Sequence, residues 1–216
     1  METLPLIADS IIRLIQGGIS TSETKFDIPY LYQVIHETRA AILKATFTKE
    51  RRIQSTWTQI YIPDFNADLQ DDKCVVKFEV PAPIALDNKT DGFLYVGTLQ
   101  KNCAFRKVVS RAELANINKH RTGKKAIKYL YSEGIMEVYA DPMIKEMMID
   151  GVFANPALLP TYNINFSLYP IDGASLALLK TTVAQQMNPS AQTPADKKQN
   201  ARNEEPAIQQ VQTQQR

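Results

Sequence analysis

The sequence predicts an α+β fold, made of an N-terminal helical hairpin, a central antiparallel β domain with a short helix, a C-terminal helix and an extended C-terminal tail. Apolar residues recur at helical spacing near both ends of the first 187 residues, and the spacing changes to alternation between them. Beyond that point the chain has no aromatic residue and is rich in glutamine and proline. These changes divide the chain into four segments, 1–52, 53–170, 171–187 and 188–216.

The composition is ordinary for a soluble protein with a hydrophobic core, since 44% of the 216 residues are hydrophobic and 22% are charged. The net charge of +2 gives no general attraction to nucleic acid or to a membrane surface. No apolar run approaches 18 residues, so no membrane anchor is expected. Two cysteines and an N-terminus with Glu2 and Asp9 are typical of neither a disulfide scaffold nor a signal peptide. We therefore expect a protein made in the cytoplasm, or carried in an assembly that forms there.

Two helices are predicted at the N-terminus. Leucine and isoleucine residues lie close to helical spacing over residues 4–16, and Gly17 with the glycine after it ends this helix. Asp27 is a suitable N-cap for the second helix, with Pro29 in its first turn. This helix runs over 28–48, and its repeating positions are Leu31, Val34, Ile35, Thr38, Ala41, Ile42 and Ala45.

The middle of the chain favours strands, because β-branched and aromatic residues alternate there with polar ones. A hairpin is predicted to turn at Glu133 and Gly134, and Gly151 predicts a bulge or a bend. Ser110 and Glu113 have the spacing of a capping box, which predicts a short helix as far as His120. Besides the hairpin, the predicted strands are residues 55–65, 73–81, 92–100, 104–110, 144–155 and 164–171.

The C-terminal helix is predicted over residues 172–187, with Leu176, Leu179, Val183 and Met187 on one face. The tail that follows cannot bury enough apolar area to offset the entropy of ordering it. We therefore expect the tail to order on a partner. Its only sizeable apolar side chains, which would anchor it there, are Ile208 and Val211.

The pair His36 and Glu37 resembles part of a zinc-protease helix, in which two histidines lie one turn apart on one face. Ala40 occupies the position of the second histidine, and the only other histidine, His120, is joined to the first by no short motif. Neither Cys-x-x-C nor Gly-x-Ser-x-Gly is present. We expect no metal, no cofactor and no catalytic residues, and His36 is interpreted as a polar residue on the rim of an amphipathic helix.

Two basic clusters have open interpretations. Residues 119–125 lack the order of a phosphate-binding loop and contain no aromatic side chain to stack on bases. They form either a solvated turn or a contact with nucleic acid or an acidic partner. Residues 49–52 form either a charged helix end or a surface that faces a partner.

Two blocks of sequence, one near each end of the chain, have a distinctive pattern. The first is "IIRLIQGGISTSETKFDIPYLYQVIHETRAAILKATFTKERRI", a helix, a Gly-Gly stop, a polar loop and a long helix with a basic end. The second is "MMIDGVFANPALL" followed by "YPIDGASLALLKTTVAQQM". Together they resemble the head–tail connector, or ring, proteins of crAss-like short-tailed bacteriophages. The resemblance covers the two ends of the chain and not its β-rich middle.

This resemblance implies a structural virion protein that joins the portal to the next tail ring. Such proteins form homo-oligomeric rings, typically of twelve copies, and line the channel through which genomic DNA passes without sequence-specific recognition. The ring would be part of the phage connector, assembled in the host cytoplasm. Under this hypothesis, the residues expected at subunit or partner interfaces are Arg39, Arg51, Arg52, Ile208 and Val211. The residues expected to contact channel DNA or an acidic partner are Lys119, Arg121, Lys124 and Lys125.

Two alternatives remain open from the sequence. The basic cluster at 119–125 could make the protein a nucleic-acid-binding module, which would bind isolated DNA in a salt-dependent way. An enzyme with dispersed catalytic residues would instead have a deep pocket with strongly perturbed titrating groups.

Overall fold

The computed structural model describes residues 2–17, 26–63, 75–87, 92–113, 127–139 and 146–187. Within these ranges the secondary structure confirms the α+β class. The long helices are α1 (Leu4–Ile15), α2 (Ile28–Glu50) and α3 (Gly173–Met187). The strands are β1 (Gln59–Tyr61), β2 (Val75–Glu79), β3 (Phe93–Thr98), β4 (Arg106–Lys107), β5 (Lys128–Ser132), β6 (Ile135–Tyr139) and β7 (Met147–Gly151).

The helices form one layer. The carboxylate of Asp27 accepts a hydrogen bond from the backbone N–H of Tyr30 and caps α2, as the sequence predicts. Arg51 takes a left-handed conformation after α2, and its N–H donates to the carbonyl of Phe47 at 2.7 Å. The two N-terminal helices are confirmed, but α3 from the other end of the chain packs against both of them. The fully buried side chains shared by the three helices include Leu4, Ile7, Ile11, Leu31, Ile35, Leu43, Leu179 and Val183.

The strands form two sheets. One has the order β1-β7-β3 and is antiparallel, and the other has the order β2-β6-β5-β4, in which β4 and β5 are parallel. The predicted hairpin is confirmed, because β5 and β6 are joined by Glu133 and Gly134, both with positive φ. The expected irregularity near Gly151 lies on the opposite strand, where the register shifts between Phe93 and Tyr95.

The strand predicted over 104–110 is shortened to β4, preceded by a single bridge from Ala104 to Gly97. After β3 the chain turns at Lys101, which has a φ of 55°, and Phe105 donates from its N–H to the carbonyl of Val96. The chain then leaves this sheet, and only Arg106 and Lys107 pair with β5 in the other one. Because Phe105 and Val108 are both buried, this segment connects the two sheets instead of continuing a hairpin.

Three other predicted elements differ in extent. The hydroxyl of Ser110 caps a helical turn that begins at Arg111. The carboxylate of Glu113 accepts a hydrogen bond from the backbone N–H of Val109 at 2.8 Å. The rest of the predicted helix lies outside the described residues. The strand predicted over 55–65 is shortened to β1, because a 3-10 turn places Trp57 in the core. The strand predicted over 164–171 is wrong, since these residues form turns with a single bridge from Leu168 to Thr3.

A substitution at Gly97 tests the close packing of the turn that follows β3. We expect Gly97→Ala to lower the free energy of unfolding by about 1–3 kcal/mol, because a Cβ there would clash with the carbonyl of Cys103 and the ring of Tyr95. Gly173→Ala is the matched control, since nothing lies within 4 Å of its added Cβ, and it should be neutral or stabilising by up to about 1 kcal/mol. Urea denaturation measures both, and equal stability of the two variants would contradict the described turn.

Candidate assembly surface and the arginine that supports it

Arg39 lies at the centre of the molecule and is 0% exposed. Its Nε donates to the carbonyl of Pro170 at 2.8 Å, and one terminal nitrogen donates to the carbonyl of Phe153 at 2.8 Å. The other terminal nitrogen lies 3.5 Å from the carbonyl of Trp57. One side chain on α2 therefore holds three separate segments: the turn before β1, the segment after β7 and the segment before α3.

The aromatic ring of Tyr169 completes the environment of this guanidinium. The guanidinium carbon of Arg39 lies 5.5 Å from the ring centroid, close enough for a cation–π interaction. Burial lowers the pKa of Arg39 and raises that of the Tyr169 hydroxyl. An arginine nevertheless remains protonated in proteins, so a full positive charge is buried among backbone carbonyls.

This placement differs from the position at a subunit or partner interface that is expected for Arg39 under the family resemblance. A side chain without exposed surface cannot reach a neighbouring subunit unless its internal hydrogen bonds open. Arg39 lies on the buried side of α2, between Ile35 and Ile42, but its residue type favours exposure, so the sequence pattern did not predict its burial. Arg39 is thus a residue that supports the subunit from inside.

Trp57 and Asp172 extend the same network to α3. The indole N–H of Trp57 donates to Asp172 Oδ2 at 3.0 Å, and the backbone N–H of Ser175 donates to Oδ1 at 2.9 Å. Burial acts to raise the pKa of the Asp172 carboxyl, but the hydrogen bonds from Ser175 and Trp57 lower it overall. Asp172 therefore works as an ionised cap for α3 and as an acceptor for the buried tryptophan.

His36 is buried beside this network instead of lying on the helix rim. Its Nδ1 is 2.9 Å from the hydroxyl oxygen of Tyr169. Burial, followed by the charge of Arg39, lowers the pKa of His36 to about 4, so the imidazole is neutral at pH 7. Within the part of the chain that the structure describes, no three His, Cys, Asp or Glu side chains come together in a group that could hold a metal ion. The geometry gives His36 a packing role.

Of the other predicted interface residues, the structure describes Arg51 and Arg52. Arg51 is exposed and lies 3.3 Å from Asp87 of its own chain, and Arg52 is exposed. An exposed pair of this kind contributes little to stability, so it can exchange partners at modest cost. Their role at an interface stays a prediction. The remaining predicted site residues, which are Ile208, Val211, Lys119, Arg121, Lys124 and Lys125, lie outside the described residues.

A charged cluster around Glu137, on the sheet β2-β6-β5-β4, holds the helical turn that precedes the basic residues 119–125 in the sequence. The carboxylate of Glu137 lies 2.8 Å from Arg111, 3.0 Å from Lys77 and 2.8 Å from the hydroxyl of Tyr139. Burial acts to raise the pKa of Glu137, but hydrogen bonds from these three groups lower it overall. The ionised carboxylate thus fixes the start of the capped helical turn against β6.

Three exposed apolar side chains lie on the segment 158–168, and a fourth lies on the adjoining strand β1. Phe166 is 81% exposed, and Leu158, Leu168 and Ile60 are also exposed. Ile60 and Leu168 share a small cavity of about 260 Å³. We call these four residues the loop patch. Single exposed apolar residues are common, but several on one short segment are typical of a surface that binds another protein.

A groove runs between α2 and the segment that follows β7, and we call it the α2 groove. Its volume is about 530 Å³, within the usual range of binding pockets. The groove combines apolar side chains with a few polar ones on α2 and at Asn155. Its lining residues are Leu4, Pro29, Tyr32, Gln33, His36, Glu37, Ala40, Ala154, Asn155, Ala157 and Ile164.

Sequence reasoning missed both the loop patch and the α2 groove. The sequence pattern predicted a strand over residues 164–171, and in a strand Phe166 would be expected to pack against a buried residue. A usable signal was present, since Phe166 stands between asparagine and serine residues that favour turns. No local pattern predicts the groove, because its two walls are more than 110 residues apart in the sequence at Ala40 and Ala154.

Comparison with known families assigns nearly the whole chain. The model of a crAss-like family described as phage tail ring protein 2 matches residues 6–205. The chain belongs to this family. The resemblance found in the two end blocks is therefore confirmed, and it extends through the β-rich middle. A search of the curated proteins finds no match.

Family membership gives this tail ring protein a structural role in the phage tail and a place in the virion. It also indicates oligomeric assembly with other tail proteins. None of the helices among the described residues is long and apolar enough to cross a membrane.

The first prediction from this site concerns the buried charge of Arg39. We expect Arg39→Met to lower the free energy of unfolding by about 3 kcal/mol or more, because the carbonyls of Phe153 and Pro170 lose their donors. The control is Arg13→Met, which removes an exposed pair with Asp9 and should cost less than about 1 kcal/mol. Both values come from urea denaturation. A loss for Arg39→Met no larger than that of the control would contradict the network.

The second prediction concerns pH. The folded pKa of His36, about 4, lies below the unfolded value of 6.5, so the unfolded chain binds more protons between these pH values. The stability contributed by neutral His36 is fully present above pH 6.5 and declines as the pH falls towards 4, by on the order of 3 kcal/mol at the low end.

Denaturation at a series of pH values, together with NMR titration of the imidazole, measures this effect. We expect His36→Gln to flatten the decline in stability between pH 6.5 and 4. Substitution of the chain's other histidine, His120→Gln, is the control and should leave the slope due to His36 in place. An NMR pKa of His36 near 6.5 would show that the imidazole is not buried as described.

Proposed function

We propose that this tail ring protein forms a homo-oligomeric ring in the portal–tail connector, where it joins the portal to the next tail ring. The copy number suggested by the family resemblance is twelve. The ring surrounds the path of the genomic DNA and contacts it without recognising its sequence. In this proposal the protein is structural, with neither catalysis nor a cofactor.

The observation that carries the proposal is the family match, because it extends over residues 6–205 and includes α1 from residue 6, the whole of α2 and α3, and the strands β1 to β7. The properties of the subunit support it. The perturbed titrating groups His36, Tyr169 and Arg39 hydrogen-bond or stack on one another or on the backbone, which is the arrangement of a structural network.

A closed ring requires two different surfaces on each subunit, which meet in a head-to-tail contact. The loop patch provides apolar area for one of these surfaces, with Phe166 as its most exposed large side chain. Aromatic side chains that become buried at the centre of an interface commonly dominate its binding energy. In the proposed ring Phe166 inserts between neighbouring copies.

The proposed contact with DNA rests on the basic residues 119–125, which follow the capped turn at Ser110 in the sequence. The Glu137 cluster holds the start of this turn against the second sheet. The proposal therefore assigns that side of the subunit to the channel. A positive surface there would contact phosphates through charge alone, consistent with passage of any sequence.

Electron microscopy of the purified protein, alone and mixed with the portal encoded in the same genome, tests the proposal. We expect rings, or an added annulus on the portal. Single particles that do not bind the portal would overturn the proposed connector.

Two substitutions extend this experiment to the loop patch. We expect Phe166→Asp to reduce the fraction of subunits in rings at least tenfold, because it places a charge in an apolar contact. Val109→Asp is the matched control, since Val109 is 79% exposed but lies beside the other sheet, and it should retain rings. If the two variants assembled equally well, the assignment of the loop patch to the ring interface would be wrong.

A further inference from the structure

We infer that the α2 groove binds the C-terminal segment around Ile208 and Val211 of a neighbouring copy of the chain. This inference rests on the proposed ring, because a neighbouring copy supplies the segment. It goes beyond the ring by assigning an occupant to the groove and a function to residues of the tail.

The chemistry of the groove fits this segment. The groove has apolar side chains such as Tyr32 and Ile164 beside the polar groups of Gln33, Glu37 and Asn155. The sequence Ile-Gln-Gln-Val at 208–211 offers two β-branched apolar side chains separated by two amides. Apolar anchors would enter the groove while the glutamines meet its amides, which is the usual arrangement of a peptide in a groove.

The charges near the groove are few. Among the described residues that line the groove, Glu37 alone is charged at pH 7, since burial keeps His36 neutral. Glu37 accepts a hydrogen bond from Gln33 at 2.9 Å, which holds the carboxylate on the exposed side of α2. Residues 206–215 carry no charged side chain. Binding of this segment therefore brings no second charge into the groove.

The position of α3 indicates which copy supplies the segment. The hydroxyl of Thr38 donates to Gln186 Oε1 at 3.2 Å, so α3 ends beside Thr38. Thr38 lies roughly 200° around the axis of α2 from Ala40, which lines the groove. The chain after Met187 therefore starts on the opposite side of α2 from the groove of its own subunit.

A head-to-tail ring places one side of each subunit against the other side of the next. The inference places the contact between copies across α2, so that a segment starting on one side of α2 faces the groove side of a neighbouring α2. The chain between Met187 and Ile208 spans up to roughly 70 Å at full extension, which is ample for this distance. The family match also continues past α3 to residue 205, so it includes most of this connecting segment.

Disulfide trapping in the full-length chain tests the inference. Cys74→Ser and Cys103→Ser first remove the native thiols, of which Cys103 is exposed. One population of subunits then carries Gln209→Cys in the tail, and a second carries Ala157→Cys in the groove. The two populations are mixed, assembled and oxidised. We expect cross-linked pairs between copies, at a yield at least tenfold above that obtained when Ala41→Cys replaces Ala157→Cys.

Ala41 is a suitable control position because it is exposed on α2 and does not line the groove.

Two further variants test whether apolar anchors and an open groove are needed for the cross-link. Substitution of both anchors, Ile208→Gln with Val211→Gln, should reduce the cross-linked yield at least tenfold. Filling the groove with Ala40→Gln should do the same, while the adjacent exposed substitution Ala41→Gln should leave the yield unchanged.

The outcomes separate this inference from the proposed ring. Rings that form without the cross-link, or with equal yields at 157 and 41, would overturn the inference and leave the ring in place. A further variant carries Gln209→Cys and Ala157→Cys in one chain. Cross-links that form only within such single chains, and not between the two populations, would show that the segment binds its own subunit, which also overturns the inference. Absence of rings in the electron microscopy experiment would overturn the proposed function itself.

Discussion

The fold of this tail ring protein depends on one buried cation. Arg39 lies between the helical layer and the sheets, and it donates to carbonyls of three segments that are far apart in the sequence. A buried charge is strongly destabilising unless it is well solvated by the protein, so these segments must adopt the positions that solvate it. In return, carbonyls in irregular segments obtain a donor that no sheet or helix provides.

The location of Arg39 also joins two hydrophobic cores. Trp57 belongs to the core of the helical layer, and Phe153 belongs to the core of the sheets. Because the guanidinium contacts the carbonyls of both residues, it fixes the helices relative to β7. Close packing alone would tolerate small sliding between the two cores, whereas directional hydrogen bonds from a planar guanidinium define one arrangement.

This arrangement presents the surfaces proposed for assembly. Residues 154–168 form one wall of the α2 groove and, through Leu158, Phe166 and Leu168, most of the loop patch. The segment is irregular, yet its own side chains hold it: Asn155 accepts from the N–H of Ala157 at 2.9 Å, and Ser167 accepts from the N–H of Asn163 at 2.9 Å. A loop that is held in this way can place apolar side chains at the surface before a partner binds, which reduces the entropy lost on association.

The sequence by itself determined the helices and the β5–β6 hairpin, because these depend on local periodicity, capping residues and turn residues. It also determined the family, through the resemblance of the two end blocks and the match over residues 6–205. Only the tertiary structure decided that Arg39 is buried, since its acceptors lie 18, 114 and 131 residues away along the chain. The same reason applies to the crossing between the sheets at Phe105 and to the α2 groove. Local patterns report which residues prefer to be buried, but the identity of the residues that meet there is set by the packing of distant segments.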